Sequence, residues 1–394
     1  MSKSILVLGA STYQLPVINK AKEYGYRVVT TDNIVSNPGH QIADFSYGID
    51  TTDHNGVLHI AKQEKISGII SPGTDVAVVT AAYVAEQLNI PGPSLNASRI
   101  LTHKKKFRDY LAKTHFLSPL SFRIDNNIPE NDLFDGRSWL IKPNQSSGSK
   151  GIYIIRSYND FCERLNESRA FSIDGTALLE QFIEGTQHTC EGILVRGKIK
   201  LALLTDRDTA SYPYTATMGH RVPSNLDVDA QSKAFEVIEQ VFSSLGVSAG
   251  PFDCDFVVDR GAPVLIEMTP RLGGNSISNL FNEAFDYDLV GYAVRYACGD
   301  EFILPEPSDP KPASIAILGV ERSGKLLWNE SESNALRQEP WVKHLQIDLP
   351  KGSMVEPFIN GRHRVGEALI TGKNREEIDT HLLSLRNRLE ITAS

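Results

Sequence analysis

A chain-long series of cationic, glycine-rich and acidic positions is the part of this 394-residue sequence best suited to chemistry. Lys104 opens the series, in a charged stretch with Lys105, Lys106 and Arg108. Lys142 follows inside Leu140-Ile141-Lys142-Pro143, and then the small-residue loop Ser146-Ser147-Gly148-Ser149-Lys150-Gly151. Glu180-Gln181-Phe182-Ile183 comes next, and Asp255, Glu267 and Arg271 complete the order.

Each position has a chemical reading and a plainer one. The Ser/Gly loop offers backbone N–H groups with little side-chain obstruction, as a polyphosphate requires, although a flexible turn has the same composition. It does not fit the G-x-x-x-x-G-K-[ST] phosphate loop. Lys142 is unusual in an apolar strand, because a lysine is rarely buried without a partner; an edge-strand lysine is the alternative. Three adjacent lysines around Lys104 also suit a solvated helix face. The 180–183 stretch could present backbone groups to the edge of an adenine, or simply be a core strand entering a turn.

The carboxylates carry more weight. Residues 253–258 and 263–268 read as two strands joined at Asp259-Arg260-Gly261-Ala262. A hairpin there brings Asp255 and Glu267 together across the ladder, within about one residue of register. Two close carboxylates in apolar strands repel unless a cation lies between them. Mg²⁺ is a hard ion that prefers oxygen ligands and phosphates. Arg271 follows at once, in Thr269-Pro270-Arg271-Leu272-Gly273-Gly274-Asn275-Ser276, where a guanidinium could grip a phosphoryl group or carboxylate.

The elements that must position these groups alternate at first. Strand-like segments at 5–8, 27–31 and 66–71 are interleaved with helical patterns at 15–24 and 75–88, which implies βαβ units and a parallel sheet. A helix is expected at 103–114, strands at 139–143, 152–155, 177–182, 188–195 and 199–205, and helices at 159–168 and 228–245. The polar, Pro- and Gly-marked segment 206–226 reads as a loop or lid. Four prolines in 304–312 mark a boundary. The tail ends in a strand at 365–372 and an amphipathic helix at 375–389.

Length and composition bound the function. The length suits two or three domains at roughly 100–200 residues each. With 41% hydrophobic and 22% charged residues the chain is ordinary globular material. Its net charge of −8 argues against nucleic-acid and anionic-membrane partners. No apolar run is long enough to span a bilayer, and the chain runs straight into its first strand without a leader-like segment. The cysteines, 162, 190, 254 and 298, are far apart, so free thiols and a cytoplasmic location are expected.

Taken together, the series resembles the ATP-grasp superfamily, in its carboxylate–amine ligase branch, over nearly the whole chain. The resemblance implies α/β and α+β architecture in three parts. These are a Rossmann-like domain at 1–95, an ATP-grasp body at 96–304 with a flap near 144–151, and a small C-terminal α+β domain at 305–394. It implies ATP contacts at Lys104, Lys142, Ser147, Gly148, Ser149, Lys150 and Gly151, at the 180–183 hinge, and at Gln187. It places two Mg²⁺ ions, replaceable by Mn²⁺, on Asp255 and Glu267, with Thr269 as a further oxygen, and Arg271 at the reaction centre. Arg207 and Arg221, in or beside the 206–226 loop, are candidates to hold a substrate carboxylate or else solvated loop arginines; Gly274 and Asn275 are further candidate substrate contacts, and His220 is a candidate base for the amine or a surface histidine.

There are departures. Glu267-Met268-Thr269-Pro270-Arg271 stands where the family has E-x-N-P-R, and Gly185-Thr186-Gln187 stands where it often has G-x-E. Gly273-Gly274-Asn275-Ser276 resembles amino-acid ligases more than biotin carboxylases. The expected reaction is ATP-dependent amide or peptide bond formation through an acyl phosphate, on small-molecule carboxylate and amine substrates, in a chain that forms a homodimer. Three other readings stay open. A nicotinamide oxidoreductase is suggested by the 5–9 strand and Asp32, but Gly9-Ala10-Ser11-Thr12-Tyr13-Gln14 lacks the later glycines of G-x-G-x-x-G. A bicarbonate-using ATP-grasp enzyme and a non-catalytic nucleotide-binding protein are the others.

Overall fold

The computed structural model describes residues 3–125, 129, 131–134 and 136–394, so the first two residues of the expected N-terminal domain lie outside it. Ser4–Leu8 is buried along its whole length, because it is an inner strand of a parallel sheet covered by helices on both faces. The sheet order is Phe45–Tyr47, Arg27–Thr31, Ser4–Leu8, Gly68–Ile70. The expected helices are present as Leu15–Glu23 and Val78–Leu88, the latter ending at Asn89 in the left-handed conformation. The chain leaves Ser4–Leu8 toward one side of the sheet and returns to its other side at Gly68–Ile70. The loops that follow these two strands therefore flank a crevice, the place where open α/β sheets take ligands. Gln14 Nε2 donates to the Pro72 carbonyl at 2.8 Å and ties the two loops together.

Two antiparallel sheets form the middle of the molecule. The smaller runs Ser121–Ile124, Ala177–Gln181, Trp139–Pro143, Tyr153–Ile155. The larger has eight strands, in the order Ala262–Thr269, Gly250–Asp259, Thr186–Val195, Lys198–Thr209, Thr217–Val222, Ala313–Leu318, Gly366–Thr371, Val342–Ile347. Ala177–Gln181 and Thr186–Val195 belong to different sheets, so the short stretch between them crosses the gap. The helix Val228–Ser244 covers the large sheet with Ala234, Ile238, Val241 and Phe242 against Phe252, Phe256 and Leu265.

The expected loop at 206–226 is instead about half strand. Lys198–Thr209 and Thr217–Val222 form a hairpin in which Arg207 opposes His220 and Asp206 opposes Arg221. Its polar residues misled the reading because they alternate along strands whose two faces carry different polar clusters. The tip of the hairpin reaches the small sheet, where Ile154 N–H donates to the Pro213 carbonyl at 2.8 Å.

Beyond the proline cluster, Ala313–Leu318 pairs with Thr217–Val222, so the large sheet continues into the C-terminal segment. The helix Arg375–Leu389 lays Ile378, Leu382, Leu385 and Leu389 on this extension. Its first turn is capped by Asn374, which accepts from Glu377 N–H at 2.9 Å. All four cysteines are unpaired, Cys162 exposed and the others buried. Among the described residues no helix is long and apolar enough to cross a membrane.

Candidate active site

A cavity of about 700 Å³ lies between the two central sheets, against the N-terminal crevice and a C-terminal turn. Lys104 and Lys142 line it, beneath flap residues 146–150. Lys104 enters from the first turn of the helix Lys104–Lys113, whose four-residue spacing also carries Arg108 inward. Lys104 Nζ donates to the Ser146 carbonyl at 3.0 Å and meets Glu267 at 3.4 Å. Gly151 does not line the cavity. Its backbone is left-handed at φ +67°, and a Cβ there would lie 2.9 Å from the Phe171 ring, so it shapes the flap.

Lys142 and Glu180 are both buried and meet at 2.7 Å. Arg108 reaches the same carboxylate through Nε at 2.7 Å and Nη2 at 3.2 Å. Burial works against charge on Glu180, but these two cations prevail and hold its carboxyl down at about 2. Burial lowers Lys142 to about 8, with Arg108 and Lys104 adding repulsion that its one carboxylate partner does not offset. Glu180 thus orients Lys142 through its side chain, a role beyond the hinge contact read from sequence. The hinge backbone is partly committed as well. Gln181 and Phe182 N–H groups donate to Leu120 and Ser138 carbonyls, at 2.8 and 3.0 Å. Gln181, Phe182, Ile183 and Gln187 all line the cavity.

Asp255 and Glu267 stand directly opposite each other on their two strands, within the one residue of register expected, because a β-bulge between Asp255 and Phe256 shifts a ladder that would otherwise set Asp255 against Ile266. Asp255 accepts from Thr189 Oγ1 at 2.5 Å and from Arg207 at 3.0 Å. Glu267 is held below the ordinary carboxylate range: burial opposes this, but Lys104, Lys142 and Arg271 outweigh it. Thr269 lies on the same face two residues on, opposite Asp253. It is off the cavity lining, and its buried hydroxyl has no hydrogen-bond partner among the described residues. Among the described residues no group of three or more His, Cys, Asp or Glu side chains could hold an ion alone. Two opposed carboxylates on a cavity of this size suit an ion that keeps water and phosphate oxygens in its shell, as Mg²⁺ does.

Arg271 is clamped by Asp75, at 3.0 Å from Nε and 2.5 Å from Nη2, and by Asp253 at 3.3 Å. Glu191, opposite Asp253 on the next strand, accepts from Gly273 N–H and Ser278 Oγ, both at 2.9 Å. Burial pushes Glu191 up to about 7 and holds Asp253 well above the usual carboxylate range. The loop so anchored carries Asn275 and Ser276 at φ 51° and 56°, two consecutive non-glycine residues in the left-handed region. Such strain collects at binding sites. Gly274 and Asn275 line the cavity, and Ser276 Oγ donates to Glu367 of the C-terminal segment at 2.7 Å.

Two expectations are corrected. Arg207 lines the cavity, but Arg221 does not. They occupy opposite faces of one hairpin, by the period of two, and Arg221 is paired instead with Asp208 and with Asp379 at 2.9 Å. His220 is neither on the surface nor on the cavity. It is buried, bonded to Thr205 Oγ1 at 3.0 Å, and lowered to about 3 by burial and by Arg207, so it stays neutral. Asp32, the basis of the nicotinamide reading, accepts from Ala10 N–H, Ile34 N–H and Asn37 Nδ2 at 2.8–2.9 Å. It ties its own loop to the one after the first strand, at the edge of the cavity.

The structure also adds residues that the sequence reading passed over. Asp75, Glu191 and Arg362 carry no local signal, since each is far along the chain from the groups it meets. Arg108 was legible only as the i+4 neighbour of Lys104.

Comparison with known proteins agrees with this geometry. The ATP-grasp domain family matches residues 137–279, and L-amino acid ligase C-terminal domain 2 matches residues 317–394. Formate-dependent phosphoribosylglycinamide formyltransferase of Aliivibrio fischeri is 22% identical over 404 residues, spanning 98% of this chain and 96% of that protein. Human carnosine synthase 1 is 22% identical over 335 residues, 77% of this chain and 40% of that protein. The crystal structure of L-amino acid ligase from Bacillus licheniformis superposes with a TM-score of 0.83 at 17% identity, covering 100% of this chain and 99% of that one.

Proposed function

We propose that this chain, an ATP-grasp ligase of the carbon–nitrogen bond-forming kind, joins a small carboxylic acid to an amine through an acyl phosphate. One observation carries the reading: Asp255 and Glu267 oppose each other on the cavity that also holds Lys104, Lys142, the flap and Arg271. Residues 1–95, 96–304 and 305–394 act as three units around that cleft.

In this reading Lys104, Lys142 and the flap N–H groups hold the ATP phosphates, and the 180–183 stretch and Gln187 hold the nucleoside. Mg²⁺ on Asp255 and Glu267 would supply charge neutralisation of the phosphates. Two such ions are proposed, with Mn²⁺ as a working substitute. A substrate carboxylate oxygen attacks the γ-phosphorus, the bond to the β-phosphate oxygen breaks, and ADP departs. The amine nitrogen then attacks the acyl carbon, phosphate leaves with the bonding pair, and the nitrogen gives up a proton. Arg271, rigidly held by Asp75 and Asp253, faces the acyl phosphate. Positioning and charge stabilisation do most of the work in such a site.

The test is ADP release across a panel of acids and amines, with product mass. Amine- and carboxylate-dependent ADP release with an amide product is expected; release without an amide would overturn the reading. A second reading takes formate as the acid, favoured by the near full-length match to a formate-dependent enzyme. Formate in the panel, and a parallel bicarbonate-dependence assay, separate these cases.

A further inference from the structure

The flap touches the C-terminal segment through its backbone. Gly361 N–H donates to the Gly148 carbonyl at 3.0 Å, a backbone hydrogen bond between the flap and the short turn Gly361–His363. The turn is held in shape from beneath. Asn360 Oδ1 accepts from Arg362 N–H at 2.9 Å, and His363 N–H donates to the Asn360 carbonyl at 3.1 Å.

This turn delivers Arg362 to the cavity wall beside Lys150 of the flap. The Arg362 guanidinium lies over the Phe171 ring, 5.9 Å from its centroid, and the same ring packs where Gly151 ends the flap. Lys150 is lowered by burial first and by the Arg362 charge second. Among the described residues neither cation has a carboxylate within ion-pair distance, whereas Lys104, Lys142, Arg207 and Arg271 on the same cavity each have at least one. Two like charges held together without an anion are repulsive unless a ligand supplies one.

We propose that an oxyanion bound between Lys150 and Arg362 latches the flap onto the C-terminal turn, so that the cleft closes over its ligands only when that group is present. The terminal phosphoryl group of ATP is the source that the neighbouring Lys104 and Lys142 favour; an anionic group on the second substrate has the same chemistry. The inference rests on the ATP-site reading above. It adds that the C-terminal segment senses the terminal phosphate and that Arg362 is a binding residue for it.

The experiment uses the full chain and two variants. Arg362→Gln removes the charge from an exposed side chain that makes no ion pair. Gly361→Pro removes the N–H donor at the first position of a turn, where proline is tolerated. Hydrogen exchange of flap amides 144–151 is followed with ADP–Mg²⁺, with a non-hydrolysable ATP analogue and Mg²⁺, and with ADP–Mg²⁺ plus an anionic or a neutral amine. In the unaltered chain the ATP analogue should slow flap exchange well beyond ADP. Arg362→Gln should weaken analogue binding by about tenfold or more, the scale of one charge-assisted hydrogen bond, and leave ADP affinity unchanged. Gly361→Pro should loosen the flap in every ligand state. If the anionic amine, and not the analogue, gives the Arg362-dependent protection, the latch stands and its anion comes from the substrate. Flap protection that survives Arg362→Gln with every ligand overturns the latch. An unaltered chain that binds no ADP–Mg²⁺ overturns the ATP-site reading and the latch with it.

Discussion

Asp255 and Glu267 face each other across one hairpin, yet each leans on a different cation: Asp255 on Arg207 at 3.0 Å, Glu267 on Lys104 at 3.4 Å. The pair is therefore flanked by positive charge on both sides, an arrangement suited to a divalent ion with phosphates around it. Asp255→Asn and Glu267→Gln keep the shape and remove the charge. Each should reduce ADP release by about 10²–10³-fold, in line with the loss of one dominant electrostatic contact. Both variants should melt within a few degrees of the parent, but neither should gain stability from ADP–Mg²⁺. EDTA should abolish turnover, and Mg²⁺ or Mn²⁺ should restore it. Full turnover in Glu267→Gln would refute the metal assignment.

Glu180 answers two buried cations at once. Glu180→Gln would leave Lys142 and Arg108 in the interior without their counter-charge. We expect a loss of about 3–5 kcal/mol in urea unfolding, the usual scale for breaking a buried pair from one side. Stability unchanged by this substitution would show that the triad is not a structural unit.

Lys142 gives the site an alkaline limit. Its folded-state value of about 8 lies below the 10.5 of an exposed lysine, with burial as the main cause. The energetic cost of its buried charge is therefore fully present below about pH 8 and fades as pH rises toward 10.5. Function runs the other way: as Lys142 loses its proton it loses its hold on phosphate. ADP–Mg²⁺ affinity measured by calorimetry should fall by about tenfold from about pH 7 to about pH 9. Lys142→Arg, which cannot deprotonate in this range, should flatten that profile whatever its effect on affinity.

The hairpin at 198–222 separates residues that look alike in sequence. Arg207→Gln should impair turnover by about tenfold or more, since its partner Asp255 lies on the cavity. Arg221→Gln should leave the kinetics intact and change stability by less than about 1 kcal/mol, as for a partly exposed ion pair. Steady-state kinetics of both variants checks this; equal impairment would contradict the two-face assignment.

His220 should matter to acid stability and not to catalysis. Burial lowers it from 6.5 to about 3, so its contribution is present above pH 6.5 and is lost as pH falls toward 3. The melting temperature of His220→Gln should decline less than that of the parent over this window. A pH–rate profile shifted by the substitution would return His220 to the list of candidate bases.

Much of this protein is legible in one dimension because its signals are local. The apolar runs at 253–258 and 263–268, with a Gly-containing turn between them, determined that Asp255 and Glu267 would lie within about one residue of each other across the ladder, and a β-bulge between Asp255 and Phe256 then set them directly opposite. The 3.6-residue period fixed Lys104 and Arg108 on one helix face, and the amphipathic pattern set the last helix at 375–389. Tertiary structure decided what local pattern cannot encode. It put Asp75 on Arg271, Glu180 on Lys142 and Arg108, and Arg362 beside Lys150, pairs whose members lie far apart along the chain. It also turned the polar 206–226 segment into paired strands, placing Arg207 on the cavity and Arg221 away from it. The reason is physical: a charged residue's role depends on which opposite charge the fold buries against it, and long-range packing alone makes that choice.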